Sequence, residues 1–327
     1  MRGLTTSALA RRRGRAPGTG DTVRPRARAV AIALVLSCVV LSGTLVGCGR
    51  PDFDENLAFE FLERQCEFGP RPPGSQEHEE MRDWLVAELQ RRADAVSVQE
   101  FTAADSTGRQ YELTNVIASF HMEATERVLF GAHWDTRPVA EKDPDPAARA
   151  RPIVGANDGA SGVAVLLALA DMMSADRPEL GVDLVFFDLE DAGKAGGFSS
   201  FCLGSAHFAA TMGGYAPSYA VVVDMIGDGD LSIPVEVNSA QACPDVVNRV
   251  WSAAERVGSG SFVRETGPSM FDDHIPLIQA GVPAALVIDF EYPFWHTHED
   301  TPDKCSPQSL GEVGRVLAEL VYRPRRA

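Results

Sequence analysis

Basic residues are scarce in this 327-residue sequence, which has 30 Lys and Arg against 46 Asp and Glu and a formal net charge of −16 at pH 7. Eight arginines and only one acid fall in the first 47 positions, so the rest of the chain carries a formal charge of −23. Proteins that bind nucleic acids need a basic surface to meet the phosphates. The charge excludes that class, and we expect no nucleic acid among the partners.

The sequence also lacks the signatures of several common catalytic and metal-binding sites. The six cysteines do not have the spacing of a zinc knuckle. No G-x-S-x-G elbow surrounds Ser205 and His207, which argues against a serine hydrolase. The stretch Gly227–Ser232 has neither the spaced acids nor the terminal Glu of an EF-hand loop and predicts a turn. With 45% hydrophobic residues and no internal repeat, the chain can bury a sizeable core.

The amino-terminal segment differs from the rest of the chain. Its arginine-rich start is followed by an uncharged apolar run, Ala29–Gly47, which is typical of a signal peptide and also long enough for a short membrane span. The run ends in "LVGC" (Leu45–Cys48), which resembles the bacterial lipoprotein processing box. That resemblance implies cleavage before Cys48 and lipidation of its thiol, with an ordinary signal peptide or an uncleaved anchor as alternatives.

We therefore divide the chain into a lipoprotein-type signal peptide (residues 1–47), a short acidic tether (48–60) and one domain (61–327). The protein is expected to be exported to the cell envelope, where its only contact with a bacterial membrane is the lipid anchor. An oxidising compartment permits disulfides among Cys66, Cys202, Cys243 and Cys305. Four cysteines allow three full pairings, and the sequence does not choose among them.

The body of the chain alternates apolar, β-rich runs with helical patterns. The predicted strands are Asn115–Phe120, Val128–His133, Val182–Asp188, Ala220–Met225 and Ala284–Phe290. The predicted helices are Gly74–Arg92, Ser161–Met173, Cys243–Gly258 and Ser306–Tyr322. This alternation predicts a three-layer α/β/α sandwich around a mixed, mostly parallel sheet. The Pro- and charge-rich stretch Arg137–Gly155 is interpreted as a surface loop.

One strand ends in an unusual cluster of acids. The run "VDLVFFDLEDAG" places Asp188, Glu190 and Asp191 within four positions directly after a buried strand. Neighbouring carboxylates raise each other's pKa and lose solvation, so the cluster is costly unless a cation neutralises it or it is exposed to solvent. A bound metal and an exposed strand end are the two explanations.

The other strands are also followed by imidazoles or carboxylates. In open α/β sheets, ligands bind at the carboxyl ends of the strands, and the residues found there, together with one that precedes a helix, are His133, Asp135, Asp158, Asp224, His296 and His298. Each alone has an ordinary structural explanation. Together they form the mixture of imidazole and carboxylate that zinc prefers, and Asp135 is well placed to orient the ring of His133. We therefore predict a zinc site at this edge.

These motifs also resemble a known family. The segments "GAHWDT", "GANDGASG", "VFFDLED", "VVVDMIG" and "WHTHEDTPDK" are similar, in order and spacing, to those of the zinc aminopeptidase superfamily, which includes the glutaminyl cyclases. The resemblance runs from about Gly69 to the carboxyl terminus. Within the superfamily, "GPRPPGS", "FDDHIPLIQAGVP" and the long spacing between Asp191 and "GSAHFA" resemble the glutaminyl-peptide cyclotransferases. The resemblance implies that residues 61–327 form a single catalytic domain of the aminopeptidase or cyclase type.

The resemblance also implies roles for individual residues. Zinc would be held by Asp158, Asp191 and His296, although Asp191 stands where Glu is usual in the family. Glu190 would be the acid/base, Asp272 would face the substrate, and Trp295 would lie beside the pocket. In the peptidases of the family, the residues that match His133 and Asp224 hold a second metal.

The implied function is a zinc-dependent cyclotransferase that converts the N-terminal Gln of peptides or proteins to pyroglutamate with one zinc ion. The alternative is an aminopeptidase with two zinc ions, and a more remote one is an inactive metal-binding module. Four other histidines are interpreted separately. His298 is an alternative to His296 as ligand but is expected at the rim, and His274 is interpreted as structural or supporting. His78 and His121 are interpreted as surface residues.

Overall fold

The computed structural model describes residues 52–105, 108–193 and 200–323. The predicted signal peptide, the predicted lipidation site Cys48 and the start of the predicted tether lie outside these residues. Among the described residues, no helix is both long and apolar enough to cross a membrane. The four cysteines of the described chain, at positions 66, 202, 243 and 305, are free thiols.

The described chain contains eight α-helices and eight strands. The helices are α1 (Glu55–Glu67), α2 (Gln76–Gln90), α3 (Ala160–Ala175), α4 (Leu203–Thr211), α5 (Val237–Ala242), α6 (Pro244–Val257), α7 (His274–Gln279) and α8 (Pro307–Tyr322). The strands are β1 (Ala95–Ala104), β2 (Gln110–Phe120), β3 (Arg127–His133), β4 (Gly181–Phe187), β5 (Ala220–Asp224), β6 (Ile233–Val235), β7 (Phe262–Thr266) and β8 (Ala284–Ile288).

Six strands form the main sheet in the spatial order β1-β2-β4-β3-β5-β8, and β6 pairs with β7 separately. The pairs β1–β2 and β2–β4 are antiparallel, whereas β4–β3, β3–β5 and β5–β8 are parallel. Helices α1, α2, α3, α6 and α8 cover one face, and α4 and α7 cover the other. The predicted mixed, mostly parallel α/β/α sandwich is confirmed.

The central strands are apolar on both faces because helices cover both. In β3, Val128 and Phe130 point into the core beneath the larger helical layer, while Leu129 packs into the opposite one. All three side chains are completely buried. This is the burial pattern expected of parallel strands at the centre of a sheet.

Strand β1 was not predicted from the sequence because it lies at one edge of the sheet and is only partly buried. Its exposure alternates between exposed and half-buried, and Val98 is 48% exposed. A strand with one neighbour and a solvated face needs no continuous apolar run. The two-stranded β6–β7 pair was missed as well, since β6 has only three residues.

The predicted tether is too long. Asp54 caps α1 by accepting hydrogen bonds from the backbone amides of Asn56 and Leu57. Phe53 and Ala58 are buried in the core, so residues 53–60 belong to the folded domain. The acidic composition that suggested a tether belongs to the outer face of an amphipathic helix.

The interpretation of Arg137–Gly155 as a surface loop holds only in part, since residues 144–147 and 149–151 are exposed but both ends of the segment are buried. The segment contains no helix or strand, but Arg137, Ala140 and Ile153 are each at most 3% exposed. Its side chains reach across the carboxyl edge of the sheet and contact residues predicted for the zinc site. A Pro- and charge-rich composition does not distinguish a solvated loop from one whose charges are paired internally.

Candidate active site

A cavity of about 300 Å³ opens at the carboxyl ends of the parallel strands and lies at the small end of the range for ligand pockets. Three strand ends reach it: β4 through Glu190 and Asp191, β5 through Asp224, and β8 through Ile288. Aromatic and apolar side chains form the remaining wall, namely Phe201, Met225, Met270, Phe271, Phe290 and Trp295. Asp272 and Trp295, the residues predicted to lie on the substrate side, therefore line the same cavity.

Three of the predicted ligands, Asp158, Asp191 and His296, form the first triad. Their potential ligand atoms all lie within 4.8 Å of one another. The Nε2 atom of His296 is 3.5 Å from Asp158 Oδ2 and 3.4 Å from Asp191 Oδ2. Both carboxylate oxygens are buried and have no hydrogen-bond partner among the described residues. Buried acceptors are rarely left unsatisfied, so this donor set fits a cation, and its chemistry fits zinc.

A second triad is formed by His133, Asp158 and Asp224. The Nε2 atom of His133 lies 3.3 Å from Asp158 Oδ1 and 3.1 Å from Asp224 Oδ1. Asp158 is therefore shared, with Oδ1 directed toward the second triad and Oδ2 toward the first. A carboxylate with this placement is suited to bridging two metal ions.

Asp158 is held in place by the chain on either side of it. The backbone amides of Asn157 and Asp158 donate to the carboxylate of Asp300, at 2.8 and 3.2 Å. The hydroxyl of Tyr292 also donates to Asp300. The next residue, Gly159, has φ +97°, and a Cβ there would lie 2.8 Å from the carbonyl oxygen of Asp135. Only glycine fits this turn without strain.

Asp135 supports the site more widely than predicted. Its Oδ1 is 3.6 Å from Nδ1 of His133, beside the ring as expected. The carboxylate also accepts two backbone hydrogen bonds, from the amide of Glu190 to Oδ1 at 3.0 Å and from the amide of Asp191 to Oδ2 at 3.3 Å. Burial alone would raise the pKa of Asp135, but contact with His133 outweighs it and holds the pKa below its usual value. The ionised carboxylate therefore fixes the turn that presents both acids.

Only two of the three acids after β4 line the cavity. Asp188 turns away from the cavity, accepts the backbone amide of Thr114 at 2.7 Å, and lies 2.8 Å from Nε2 of His78. The ring of His78 stacks on Trp134 with centroids 4.1 Å apart. His78 is 4% exposed, so its interpretation as a surface residue is wrong. An imidazole thus contacts one acid, and only Glu190 and Asp191 of the three line the cavity.

Glu190 and Asp272 are both buried and line the same cavity. Burial raises the pKa of Glu190 well above its usual value, and the charges of Asp191, Asp272 and Asp273 raise it further. Burial likewise raises the pKa of Asp272, reinforced by Asp224 and Asp273. Such an environment favours the protonated form of both carboxyl groups.

Four further residues of the site had no role in the sequence-based prediction. Arg137 and Glu141 contact the first triad, the thiol of Cys202 donates to Glu190 Oε1 at 3.2 Å, and Asp300 orients the backbone at Asp158. Asp300 lies inside the motif "WHTHEDTPDK", so its position could have drawn attention. The other three carry no recognisable sequence signal.

The aromatic and histidine predictions can be compared with the structure directly. Trp295 lines the cavity, where its ring packs edge-on against Phe290 at 4.7 Å. His298 belongs to neither triad, and its Nδ1 lies 2.7 Å from Asp143. His274 is fully buried with Nε2 3.3 Å from Glu236, which gives it a structural position.

Comparison with known proteins finds one matching family profile and several similar proteins. The profile of peptidase family M28 matches residues 115–321. The chain is 27% identical over 281 residues to a glutaminyl-peptide cyclotransferase-like protein of Mus musculus, covering 76% of this chain and 70% of that protein.

Two solved structures are also similar to the chain. The glutaminyl cyclase of Bacteroides thetaiotaomicron bound to N-acetylhistamine has 33% identity and a TM-score of 0.82, with 85% of this chain and 100% of the other covered. A Zn-dependent exopeptidase of Parabacteroides distasonis has 33% identity and a TM-score of 0.82, with 84% and 100% covered. The same fold therefore occurs in proteins described as cyclases and in one described as an exopeptidase.

Proposed function

The chain belongs to peptidase family M28, and from that premise we propose that it is a zinc-dependent glutaminyl-peptide cyclotransferase. The observation that carries the proposal is the placement of two buried acids, Glu190 and Asp272, in the same cavity as the first triad. The similarity to the mouse and Bacteroides cyclases supports it. The substrates would be peptides or proteins with an N-terminal glutamine.

The reaction has a simple atom balance. The α-amino nitrogen of the N-terminal glutamine attacks its own side-chain amide carbon, and a new carbon–nitrogen bond closes the pyroglutamate ring. The bond between that carbon and the amide nitrogen breaks, and ammonia leaves. One proton must pass from the attacking amine to the departing nitrogen, so the site needs a group that both accepts and donates a proton.

The first triad would hold the metal through Asp158 Oδ2, Asp191 Oδ2 and His296 Nε2. When bound there, zinc supplies Lewis-acid chemistry at a carbonyl group. Glu190 lies beside this triad with its carboxyl in the same cavity, so it can take the proton from the α-amine and deliver it to the leaving nitrogen. Asp272, buried in the same cavity, can hold the α-ammonium or the amide nitrogen, and Trp295 bounds the pocket.

The second triad favours a different candidate, an aminopeptidase. Two zinc ions bridged by Asp158 would suit activation of a water molecule, with Asp191 and His296 completing one site and His133 and Asp224 the other. Glu190 would then accept the proton of the attacking water. Because both triads are formed, the number of metal ions bound is the property that separates the two functions.

Mass spectrometry of two peptides tests the proposal. A Gln-initiated and a Leu-initiated peptide are incubated with the zinc-loaded protein, with Glu190→Gln as the control. Cyclisation gives loss of one ammonia from the Gln peptide and leaves the Leu peptide intact. Release of free Leu would instead establish the aminopeptidase. If zinc binds but neither peptide changes, the protein is a metal-binding module.

We also propose that the protein is exported and attached to the membrane of a bacterial cell envelope through a lipid on Cys48. The proposal rests on the basic and apolar leader and on the "LVGC" sequence that ends it. In a bacterial host that processes lipoproteins, the wild-type protein should fractionate with the membrane and incorporate labelled palmitate. The variant Cys48→Ser should lose the label, and a labelled variant would refute lipidation at this residue.

A further inference from the structure

We infer that Arg137 and Glu141 are positioning residues that jointly fix Asp191 and His296 for metal binding. Both belong to the segment Arg137–Gly155, which crosses the mouth of the site. The inference rests on the zinc site proposed above, but it is independent of whether that site cyclises glutamine or hydrolyses peptides.

Arg137 holds Asp191 by two of that residue's atoms. Its Nη1 donates to the side-chain Oδ1 at 3.0 Å and to the backbone carbonyl oxygen at 2.9 Å. The guanidinium is 3% exposed, and Asp191 is equally buried. With Oδ1 engaged and the backbone fixed, only Oδ2 remains free, and this is the atom that faces His296 and Asp158. Arg137 thus makes Asp191 a ligand through one defined oxygen.

Glu141 holds His296 in a corresponding way. Its Oε1 lies 2.8 Å from Nδ1 of the ring, which leaves Nε2 directed at the first triad. The same carboxylate accepts two hydrogen bonds from Arg137, from Nη2 at 2.7 Å and from Nε at 3.1 Å. A carboxylate behind a ligating imidazole fixes the orientation of the ring and raises its basicity. Arg137 and Glu141 therefore form one clamp that contacts two of the three predicted ligands.

The segment that carries the clamp is itself tied to the site. The backbone amide of Lys142 donates to the carbonyl oxygen of His296 at 3.2 Å. Asp143 accepts hydrogen bonds from the backbone amide and the ring Nδ1 of His298. Arg137, at the start of the segment, accepts the amide of Ile153 through its carbonyl oxygen. These contacts fix the relative positions of the clamp and the chain around His296.

Among the described residues, the clamp contacts ligands of the first triad that are not shared with the second. In the second triad, Nδ1 of His133 has no hydrogen-bond partner among the described residues, and the nearest carboxylate oxygen, of Asp135, is 3.6 Å away. Among the described residues, neither Arg137 nor Glu141 forms a hydrogen bond or ion pair with His133 or Asp224. The support is therefore specific to the site formed by Asp158, Asp191 and His296.

Zinc affinity of the purified protein tests the clamp without measuring activity. The metal is removed, and the dissociation constant for zinc is then determined by competition with a chromogenic chelator. Loss of an orienting carboxylate behind a metal ligand weakens binding by about tenfold to a hundredfold, and we expect this for Glu141→Gln. Arg137→Lys keeps the charge but cannot supply the forked contacts, so we expect a loss of similar size.

A matched control uses another Arg–Glu pair. Arg256 donates to Glu319 at 2.7 Å between α6 and α8, away from the cavity. The variants Arg256→Lys and Glu319→Gln make the same chemical changes, and they should leave zinc affinity unchanged. Cobalt substitution adds a second readout, because its visible spectrum depends on coordination geometry: the clamp variants should change the spectrum and the controls should not.

The outcomes separate the inference from the proposed function. If the wild-type protein fails to bind zinc, the proposed zinc site is wrong, and the inference about the clamp is refuted as well. If the wild type binds zinc and both clamp variants bind as tightly with an unchanged cobalt spectrum, only the clamp is overturned. The unfolding temperature of each metal-free variant shows whether it folds. Should Glu141→Gln and Arg137→Lys both fail to fold, Glu141→Asp decides the question, because it keeps the charge and withdraws the carboxylate from His296.

Discussion

The carboxylate of Asp188 lies 2.8 Å from Nε2 of His78, although the two residues are 110 positions apart in the sequence. Both side chains are at most 5% exposed. This contact removes one of the three acids after β4 from the metal-binding edge. Two of the clustered acids are therefore accommodated in different ways: Asp188 contacts an imidazole, and Asp191 belongs to the predicted cation site.

The contact between His78 and Asp188 should contribute to stability and not to chemistry. The variant His78→Leu keeps a bulky apolar side chain against Trp134 but leaves a buried acid without its partner, which costs about 1–3 kcal/mol. We expect this loss in the free energy of unfolding from denaturant titration. In contrast, Arg64→Ala removes an exposed pair with Glu67 and should cost less than about 1 kcal/mol. Equal effects of the two variants would contradict the assignment.

Replacement of the predicted acid/base should separate activity from stability. Glu190→Gln removes the group that exchanges protons, so kcat should fall by about 10²–10⁴-fold. The same change removes an acid from a cluster that includes Asp191, Asp272 and Asp273, and the unfolding temperature should stay equal or rise. A variant that loses zinc or unfolds at a much lower temperature would show that Glu190 supports the structure instead.

Zinc stoichiometry should distinguish the two proposed functions. A cyclase that uses only the first triad binds one ion per chain, so Asp224→Asn should leave that number unchanged and Asp191→Asn should weaken binding strongly. For a two-metal peptidase, the wild type binds two ions and Asp224→Asn lowers the number toward one. Metal analysis after equilibrium dialysis gives the count directly.

Glu236 should make stability depend on pH in the acidic range. Burial alone would raise the pKa of this carboxyl, but the nearby His274 ring and the backbone amides of Met270, Ser239 and Asn238 outweigh it and lower the pKa from 4.5 to about 2. A lowered pKa in the folded state means that the stabilisation is fully present above pH 4.5 and is lost as the pH falls toward 2.

The variant Glu236→Gln measures that contribution. At neutral pH it should be less stable than the wild type by about 1–3 kcal/mol, because the amide cannot replace a charged acceptor of several hydrogen bonds. The difference in unfolding free energy should narrow as the pH falls through the window. Glu265→Gln, on an exposed position of β7, serves as the control and should show no such trend. A difference that is constant with pH would refute the contribution of Glu236.

Much of this architecture follows from local sequence patterns. The five buried strands β2, β3, β4, β5 and β8 and four helices were predictable because burial between helical layers imposes continuous apolar runs on strands and a 3.6-residue period on helices. The residues predicted for the zinc site could be found because parallel strands bring their carboxyl ends to one edge. Edge strand β1 and the buried start of the domain at Phe53 were missed, since a solvated strand and an acidic helix leave weaker patterns.

The sequence by itself determined which side chains stand at the strand ends and therefore which chemistry is available. Only the tertiary structure decided how those side chains are arranged. Asp158 is shared between two triads, and Asp188 contacts His78 instead of the metal-binding edge. Glu141 contacts His296 although the two residues are 155 positions apart in the sequence. The physical reason is that local periodicity encodes burial, whereas hydrogen bonds between distant segments depend on angles and distances fixed by packing of the whole domain.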